Sequence, residues 1–262
     1  VNIEIGNLEE ILGGLPQSEQ TISYALGGHK EVGGWVEPGL HSALFAIDAF
    51  QRNRGFEGGA LEIGIHYGRF FIALANLCEP GSDLVAIDVF EDQQKNIDGS
   101  GRGNEMQFRK FLDIHCNKSA DEITILKEDS LELHVGQTEG LEPGNFRLIS
   151  IDGGHTAAHT FNDLQLAEQL VAEGGVVFID DILHPFWMGV VEGVMRYRLF
   201  TSGVLVPFLV TGNKMALCKA TYHGAYLEFF AKRFPMRPKK IYPWTGSMMV
   251  VGDAPIIVED KP

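Results

Sequence analysis

The chain has few cysteines, a deficit of basic residues and no long apolar run. Three cysteines occur among 262 residues, Cys78, Cys116 and Cys218, far apart and in no CxxC pair. Such an odd, scattered set argues against a disulfide framework and a structural zinc site, and a reducing cytoplasm is the simplest setting. Each cysteine reads as a small buried apolar side chain. Lys and Arg total 21 against 35 Asp and Glu, a formal net charge of −14. A balance that acidic repels phosphate backbones, so no nucleic-acid partner is expected. No apolar stretch approaches the roughly 18 residues of a membrane span. The opening VNIEIGNLEE lacks the basic-then-apolar pattern of a secretion signal, so no membrane partner is expected either. GxGxxG, the tight cradle for a dinucleotide pyrophosphate, is also missing, as are internal repeats and low-complexity tracts.

Hydrophobic residues make up 45% of the chain and charged ones 21%, enough for a sizeable core in one large α/β unit. Leu40, Ala43, Leu44, Ile47 and Phe50 recur at helical spacing between Gly39 and Arg54. ALEIG then reads as a short buried strand and RFFIALANL as a helix stopped by the turn CEPGS. LVAID is a second strand, EMQFRKFLDIH a helix, ITILKED a third strand and FRLISID a fourth. FNDLQLAEQLVAEGG reads as an amphipathic helix, with Phe161, Leu164, Ala167 and Val171 on its apolar face and a glycine pair closing it. VVFIDD is the fifth strand, VVEGVMRYRLF a helix, and VLVPFLVTGNKMALCKA two strands around a Thr-Gly-Asn turn. Near-continuous apolar strands alternating with helices predict an α/β fold. The expected architecture is a Rossmann-like, mostly parallel seven-stranded sheet with helices on both faces and an antiparallel edge strand. Residues 1–57 are read as an N-terminal helical cap, 58–220 as the core, and 221–262 as a C-terminal helix and extended arm. The proline-rich arm invites packing on the body or on a second copy, a possible homo-oligomer.

Ligands of open α/β sheets bind outside the carboxyl ends of the strands. Those ends carry Glu62 with Gly64, then Asp88, Asp129, Asp152, and Asp180 with Asp181. All five core strands thus deliver a carboxylate to one edge. In the first turn, LEIGIHYGRF, the spacing of Gly64 and Gly68 lets backbone approach a ligand before a helix starts. Asp88 stands where an acid grips ribose hydroxyls, which favours a nucleoside ligand. GSGRG at 99–103 mimics a phosphate loop with no strand leading into it. It reads as a flexible connection, with a mobile lid as the alternative.

In FRLISIDGGHTAAHTF a buried strand ends on Asp152, and His155 follows a glycine pair. Asp152, Asp180 and Asp181 gather three anions at neighbouring strand ends, which is costly without a cation. Oxygen-only ligands suit magnesium or another hard divalent ion. The plainer alternative has Asp181 capping the next helix and Asp180 facing solvent. A neutral imidazole at His155 suits a general base; the alternative is a helix-start histidine bonded to backbone. His155, His159 and Asp152 also admit a zinc trio, though without the glutamate of HExxH.

ALEIGIHYGRF, LVAIDVF, LKEDS, LISIDGGHTAAHTFNDL and GGVVFIDDI resemble successive motifs of class I S-adenosylmethionine-dependent methyltransferases over residues 58–220. The IDGGH and FIDDI pair is similar to metal-dependent O-methyltransferases of the macrocin and mycinamicin type, which modify sugar hydroxyls in natural products. It is also similar to the cephalosporin-biosynthesis methyltransferase-like group. The resemblance implies S-adenosylmethionine as cofactor. Glu62, Gly64, His66, Tyr67 and Gly68 would surround its methionine part, and Asp88 would hold its ribose. Asp129 and Ser130 would border adenine, with Asp152 at the shared edge of cofactor and metal. Asp152, Asp180 and Asp181 would ligate magnesium, and His155 would match the base of some members. Other members carry an Asp where this chain has Gly154. The N-terminal region and the C-terminal tail match no motif; in such families they shape the acceptor pocket and the oligomer.

The implied reaction is methyl transfer to a hydroxyl of a small molecule, a sugar or natural-product intermediate. Phe186, Trp187 and Met188 follow the metal strand as candidate walls of the acceptor pocket. Two other readings stand beside it. One is a nucleotide-dependent oxidoreductase, disfavoured by the missing GxGxxG. The other is a methyltransferase-like binding module without turnover.

Overall fold

The computed structural model of the chain describes residues 17–37, 39–232, 239–244 and 246–253. Parts of the expected N-terminal cap, residues 1–16 and 38, and of the expected arm, residues 233–238, 245 and 254–262, lie outside the described residues. The elements are α1 (Glu19–Leu26), α2 (Leu40–Arg52), β1 (Gly59–Ile63), α3 (Arg69–Leu77), β2 (Leu84–Ile87), α4 (Glu105–His115), β3 (Ile123–Leu126) and β4 (Phe146–Ile151). They continue with α5 (Ala157–Leu170), β5 (Val171–Ile179), α6 (Met188–Phe200), β6 (Leu205–Thr211), β7 (Lys214–Lys219), α7 (Ala220–Lys232), β8 (Lys239–Trp244) and β9 (Ser247–Gly252). Helix starts follow capping chemistry. Ser18 accepts from the Thr21 amide at α1, Asn104 from Gln107 at α4, and Thr156 from His159 at α5.

The strands form one sheet in the order β3-β2-β1-β4-β5-β7-β6-β9-β8. Strands β1 to β5 are mutually parallel, and β7 runs antiparallel between β5 and β6. Side chains alternate between two cores, as the twofold period of a strand requires. Leu84, Ala86, Val176 and Phe178 face the layer of α1 to α4 and α7. Val85, Ile87, Val177 and Ile179 face α5 and α6.

Three expectations are corrected. The described residues hold nine strands rather than seven, because the proline-rich tail adds the hairpin β8–β9 alongside β6. Pro243 is accommodated because β8 is an edge strand, where a missing amide donor costs no ladder bond. The antiparallel β7 is interior, and the expected antiparallel edge strand is β8 instead. Finally, the pair Gly174–Gly175 does not close a helix. Helix α5 ends at Leu170, and the pair lies inside β5, where the register against β4 shifts. Gly174 has a φ of 72°, and a Cβ there would strike the Phe56 ring. Here a β-bulge looks, in sequence, like a helix stop.

Strand order reverses between β1 and β4, so the sheet's crevice opens at their carboxyl ends. The residue after each strand extends the ladder by one bond. Gly64 donates to Ile87, Asp88 to Leu126, Asp152 to Ile63 and Asp180 to Ile151. Backbone pairing therefore places these four residues in a row.

Candidate active site

A cleft of about 600 Å³ opens along that row, and Glu62, Asp88, Asp129, Asp152, Asp180 and Asp181 all line it. Gly64, His66, Ser130 and His155 line it as well; Tyr67 and Gly68 do not. Tyr67 packs under Gly33, where a Cβ would meet its ring at 2.5 Å. Gly68 starts α3 with a φ of 87°, against the Phe108 ring. Their parts in the turn are conformational.

Gly64 brings β1 and β4 together. Its φ is 89°, and a Cβ there would lie 1.9 Å from the Asp152 carbonyl oxygen, so only glycine fits. Asp88 accepts from the amides of Ile65 and His66, each at 2.7 Å, and of Phe90 at 2.5 Å. The carboxylate thus fixes the β1 turn and still lines the cleft. Two buried polar atoms beside that turn have no partner: Nδ1 of His66 and Nε of Arg69. Unpartnered polar atoms in a cleft wall call for a physical account, which a ligand would supply, and Arg69 had no signal in the sequence beyond opening a helix. Asp129 lies past the end of β3, accepting from Leu131 at 3.0 Å and facing His159 Nε2 at 3.4 Å. His159 also bonds Thr156 through Nδ1 at 2.7 Å, so it turns away from Asp152 and the zinc trio does not form.

Ser130 is backed by Asp163, a fully buried carboxyl whose Oδ2 has no partner. Burial pushes Asp163 up to about 7, against hydrogen bonds from Ser130 and Asn162. A carboxyl raised from 3.8 stabilises the fold fully below its unfolded value, and that contribution is lost as pH rises through about 7. Asp163→Asn, neutral at every pH, is expected to melt higher relative to wild type at about pH 8.5 than at about pH 5. Thermal denaturation at the two pH values checks this; an equal offset at both would refute it.

The carboxylates that follow β4 and β5 divide into two groups. Lys214, at the start of β7 and 2% exposed, places Nζ 2.6 Å from Asp180 and 3.3 Å from Asp152. Burial disfavours the ammonium, but Asp152, Asp180 and Glu62 together raise it. Burial likewise works against Asp180, yet Lys214 holds it below the usual carboxylate range. Asp152 goes the other way, pushed well up by burial and by Asp180. Burial also carries Glu62 up to about 8 despite Lys214.

Asp181 turns away from this group. Its φ is 59°, a left-handed conformation that a non-glycine residue adopts at a cost. Its carboxylate accepts from Asn213 at 2.7 Å and meets His155 Nε2 at 2.7 Å. It caps no helix, and Asp180 does not face open solvent, so neither plainer alternative describes these two residues. His155 is gripped on its other nitrogen by Asp98, 3.0 Å from Nδ1, and stacks on Trp187 at 4.3 Å and 21°. Burial lowers the imidazole, but the bonds to Asp181 and Asp98 outweigh it and lift His155 to about 9. Those two carboxylates therefore favour the protonated ring. Asp152, His155 and Asp181 each offer one ligand atom, and these lie within 4.8 Å of one another. Two carboxylate oxygens and one imidazole nitrogen suit a divalent ion. Asp180, named beside them from sequence, is engaged by Lys214.

Residues 61–182 match a family model described as a methyltransferase domain. The strand order and the cleft agree with that match. Over residues 61–182 the chain is similar to class I S-adenosylmethionine-dependent methyltransferases. Solved structures agree in fold. The O-methyltransferase NovP superposes with a TM-score of 0.55 at 12% identity, over 68% of this chain and 78% of that one. Cofactor-bound Rv0187 from MTB gives 0.53 at 17% identity, over 82% and 94%. A search of curated proteins by sequence finds no match. Among the described residues, no helix is long and apolar enough to cross a membrane. Its three cysteines are buried free thiols, away from the cleft.

Proposed function

We propose that the methyltransferase moves a methyl group from S-adenosylmethionine to a hydroxyl of a small molecule, with help from a divalent cation such as magnesium. One observation carries the reading: Asp152, His155 and Asp181 converge beside the glycine turn of the cofactor cleft. The sulfonium supplies an already activated methyl, so the protein's task is to position, desolvate and deprotonate. Gly64 leaves room for the methionine part, Arg69 and His66 offer their unpartnered nitrogens to its polar end, and Asp88 faces the ribose. Asp129 and Ser130 border the base.

His155 is the group that takes the hydroxyl proton, at Nε2, the nitrogen on the Asp181 side. Asp152 and Asp181 are the residues common to the sequence-derived ligand set and the trio that converges, and they would hold the cation. Bound there, a dication would lower the pKa of the acceptor hydroxyl and, by repulsion, favour the neutral form of His155. Lys214 keeps Asp180 and Asp152 from repelling each other when no ion is present. Trp35, Ile97 and Trp187 line the cleft, Trp35 being 80% exposed and Ile97 71%. An apolar rim of this kind fits the scaffold of a natural-product intermediate or an appended sugar. Phe186 and Met188 stay outside the cleft lining.

Calorimetric titration tests both halves. S-adenosylhomocysteine is expected to bind wild type and Asp181→Ala alike, whereas the magnesium heat disappears in the variant. Magnesium binding that survives in Asp181→Ala would end the cation assignment. Absence of S-adenosylhomocysteine binding by wild type would end the methyl-transfer reading.

A further inference from the structure

Asp98 reaches His155 from the far side of the cleft. It sits in residues 89–104, which join β2 to α4. Oδ2 accepts the His155 backbone amide at 2.5 Å and lies 3.0 Å from His155 Nδ1. Oδ1 is occupied within the loop, accepting from the Ser100 amide at 2.9 Å and the Ser100 hydroxyl at 2.6 Å. Both side chains are sheltered, 11% exposed for Asp98 and 10% for His155. The sheet places β1 between β2 and β4. A loop that leaves β2 and fastens to the residue just past β4 must therefore cross the carboxyl end of β1, where Gly64 turns. Ile97, Asp98, Ser100, Gly101 and Gly103 line the cleft along that crossing. Near its start the same loop is tied down by the ion pair of Lys95 with Glu128.

We propose that Asp98 is a positioning residue: it fastens residues 89–104 as a strap across the cofactor's place and fixes the His155 ring with Nε2 toward the acceptor. The assignment of His155 to the acceptor rests on the function proposed above. An imidazole on a single bond rotates unless both its plane and its flip state are set. Trp187 stacking sets the plane. Asp98 sets the flip, because its oxygen holds the backbone amide and Nδ1 of the same residue at once. Site assembly and cleft closure then share one carboxylate, so an open strap leaves His155 unaligned.

The test uses the full chain labelled with 15N-histidine, with and without S-adenosylhomocysteine, as wild type, Asp98→Asn and Asp98→Ala. Wild type is expected to show a slowly exchanging Nδ1-bound proton on His155, assigned by its loss in His155→Asn. Asp98→Asn keeps an acceptor oxygen and should weaken that signal. Asp98→Ala should abolish it and speed S-adenosylhomocysteine dissociation about tenfold in stopped flow. An unchanged Nδ1 signal in Asp98→Ala would overturn the positioning role, and an unchanged dissociation rate would overturn the strap. If Asp98→Ala does not fold, Asp98→Asn carries both readouts, and no change in either overturns the proposal. Wild type that binds no S-adenosylhomocysteine would remove the methyl-transfer reading and the strap with it, while the Nδ1 signal would still decide whether Asp98 orients His155.

Discussion

Replacing His155 with alanine is expected to slow methyl transfer roughly 100- to 10,000-fold, the range for losing a general base, with a far smaller effect on S-adenosylhomocysteine affinity, because Asp98 keeps its bond to the backbone amide of residue 155. The side chain lies between two carboxylates, Asp98 on Nδ1 and Asp181 on Nε2. In the proposed function it serves the acceptor hydroxyl and not the nucleoside. A group that acts on the reacting hydroxyl alone is felt in the transition state alone. The loss should therefore fall on kcat and kcat/KM together, leaving KM in place. Steady-state rates with any hydroxyl acceptor the enzyme turns over, alongside calorimetry of S-adenosylhomocysteine, decide this. A rise in KM with kcat preserved would make His155 a binding residue instead. Removing the imidazole also leaves Asp98 and Asp181 without the ring that bridges them. Their repulsion is a second reason to expect a large effect.

What the sequence made legible follows from the kind of physics involved. The strand ends could be placed because β1, β2 and β4 are buried on both faces, so a polar residue stands out where the apolar run stops. Asp88, Asp152 and Asp180 announce themselves in that way. Lys214 does not. It follows a Thr-Gly-Asn turn, where lysine reads as an exposed hairpin residue. Only the insertion of β7 between β5 and β6 brings it against Asp180. The one available hint is that the next four residues, MALC, are all buried strand, so a lysine opening that strand has little water to reach. Asp98 gave no signal at all. It stands 57 positions before His155, in a glycine-rich segment that reads as a plain connection.

The same limit explains the misread elements. A glycine pair stops a helix or makes a bulge, and the local sequence is the same. What separates the two outcomes at Gly174 is the Phe56 ring, contributed by a distant part of the chain. The edge hairpin β8–β9 was hidden because proline marks a strand as unlikely except at an edge, and edges are properties of the sheet. Local chemistry thus located seven of the strands and most of the carboxylates. Long-range contacts decided the electrostatics: a lysine from β7 lowers Asp180, and an aspartate from the strap helps to raise His155.

The second large effect concerns stability. Asp48→Ala is expected to cost about 3–5 kcal/mol, the range for removing one partner of a buried ion pair, and to lower the melting temperature on the order of 10 °C. Asp48, on α2, is wholly buried and receives Arg147 at 2.6 Å, Arg52 at 3.0 Å and Gln17 at 2.6 Å. Arg147, near the start of β4, is itself 3% exposed and also donates to Gln51 at 2.6 Å and to the Leu77 carbonyl at 2.7 Å. Without Asp48 those two neutral acceptors remain, but a guanidinium charge stays in the core with no counter-charge in direct contact. Desolvation of that charge then works against the fold, which is why deletion costs more than the pair's net worth. Urea unfolding checks the prediction, since a lower midpoint at constant slope reports stability alone. The double variant Asp48→Ala, Arg147→Met separates the stranded charge from lost packing, and should recover part of the loss. If it recovers nothing, the penalty belongs to the cavity left at α2 and not to the arginine. The position of the pair matters beyond its energy. It joins the helical layer over the sheet to the strand that ends on Asp152, so loosening it should also weaken S-adenosylhomocysteine binding at temperatures where the fold still holds.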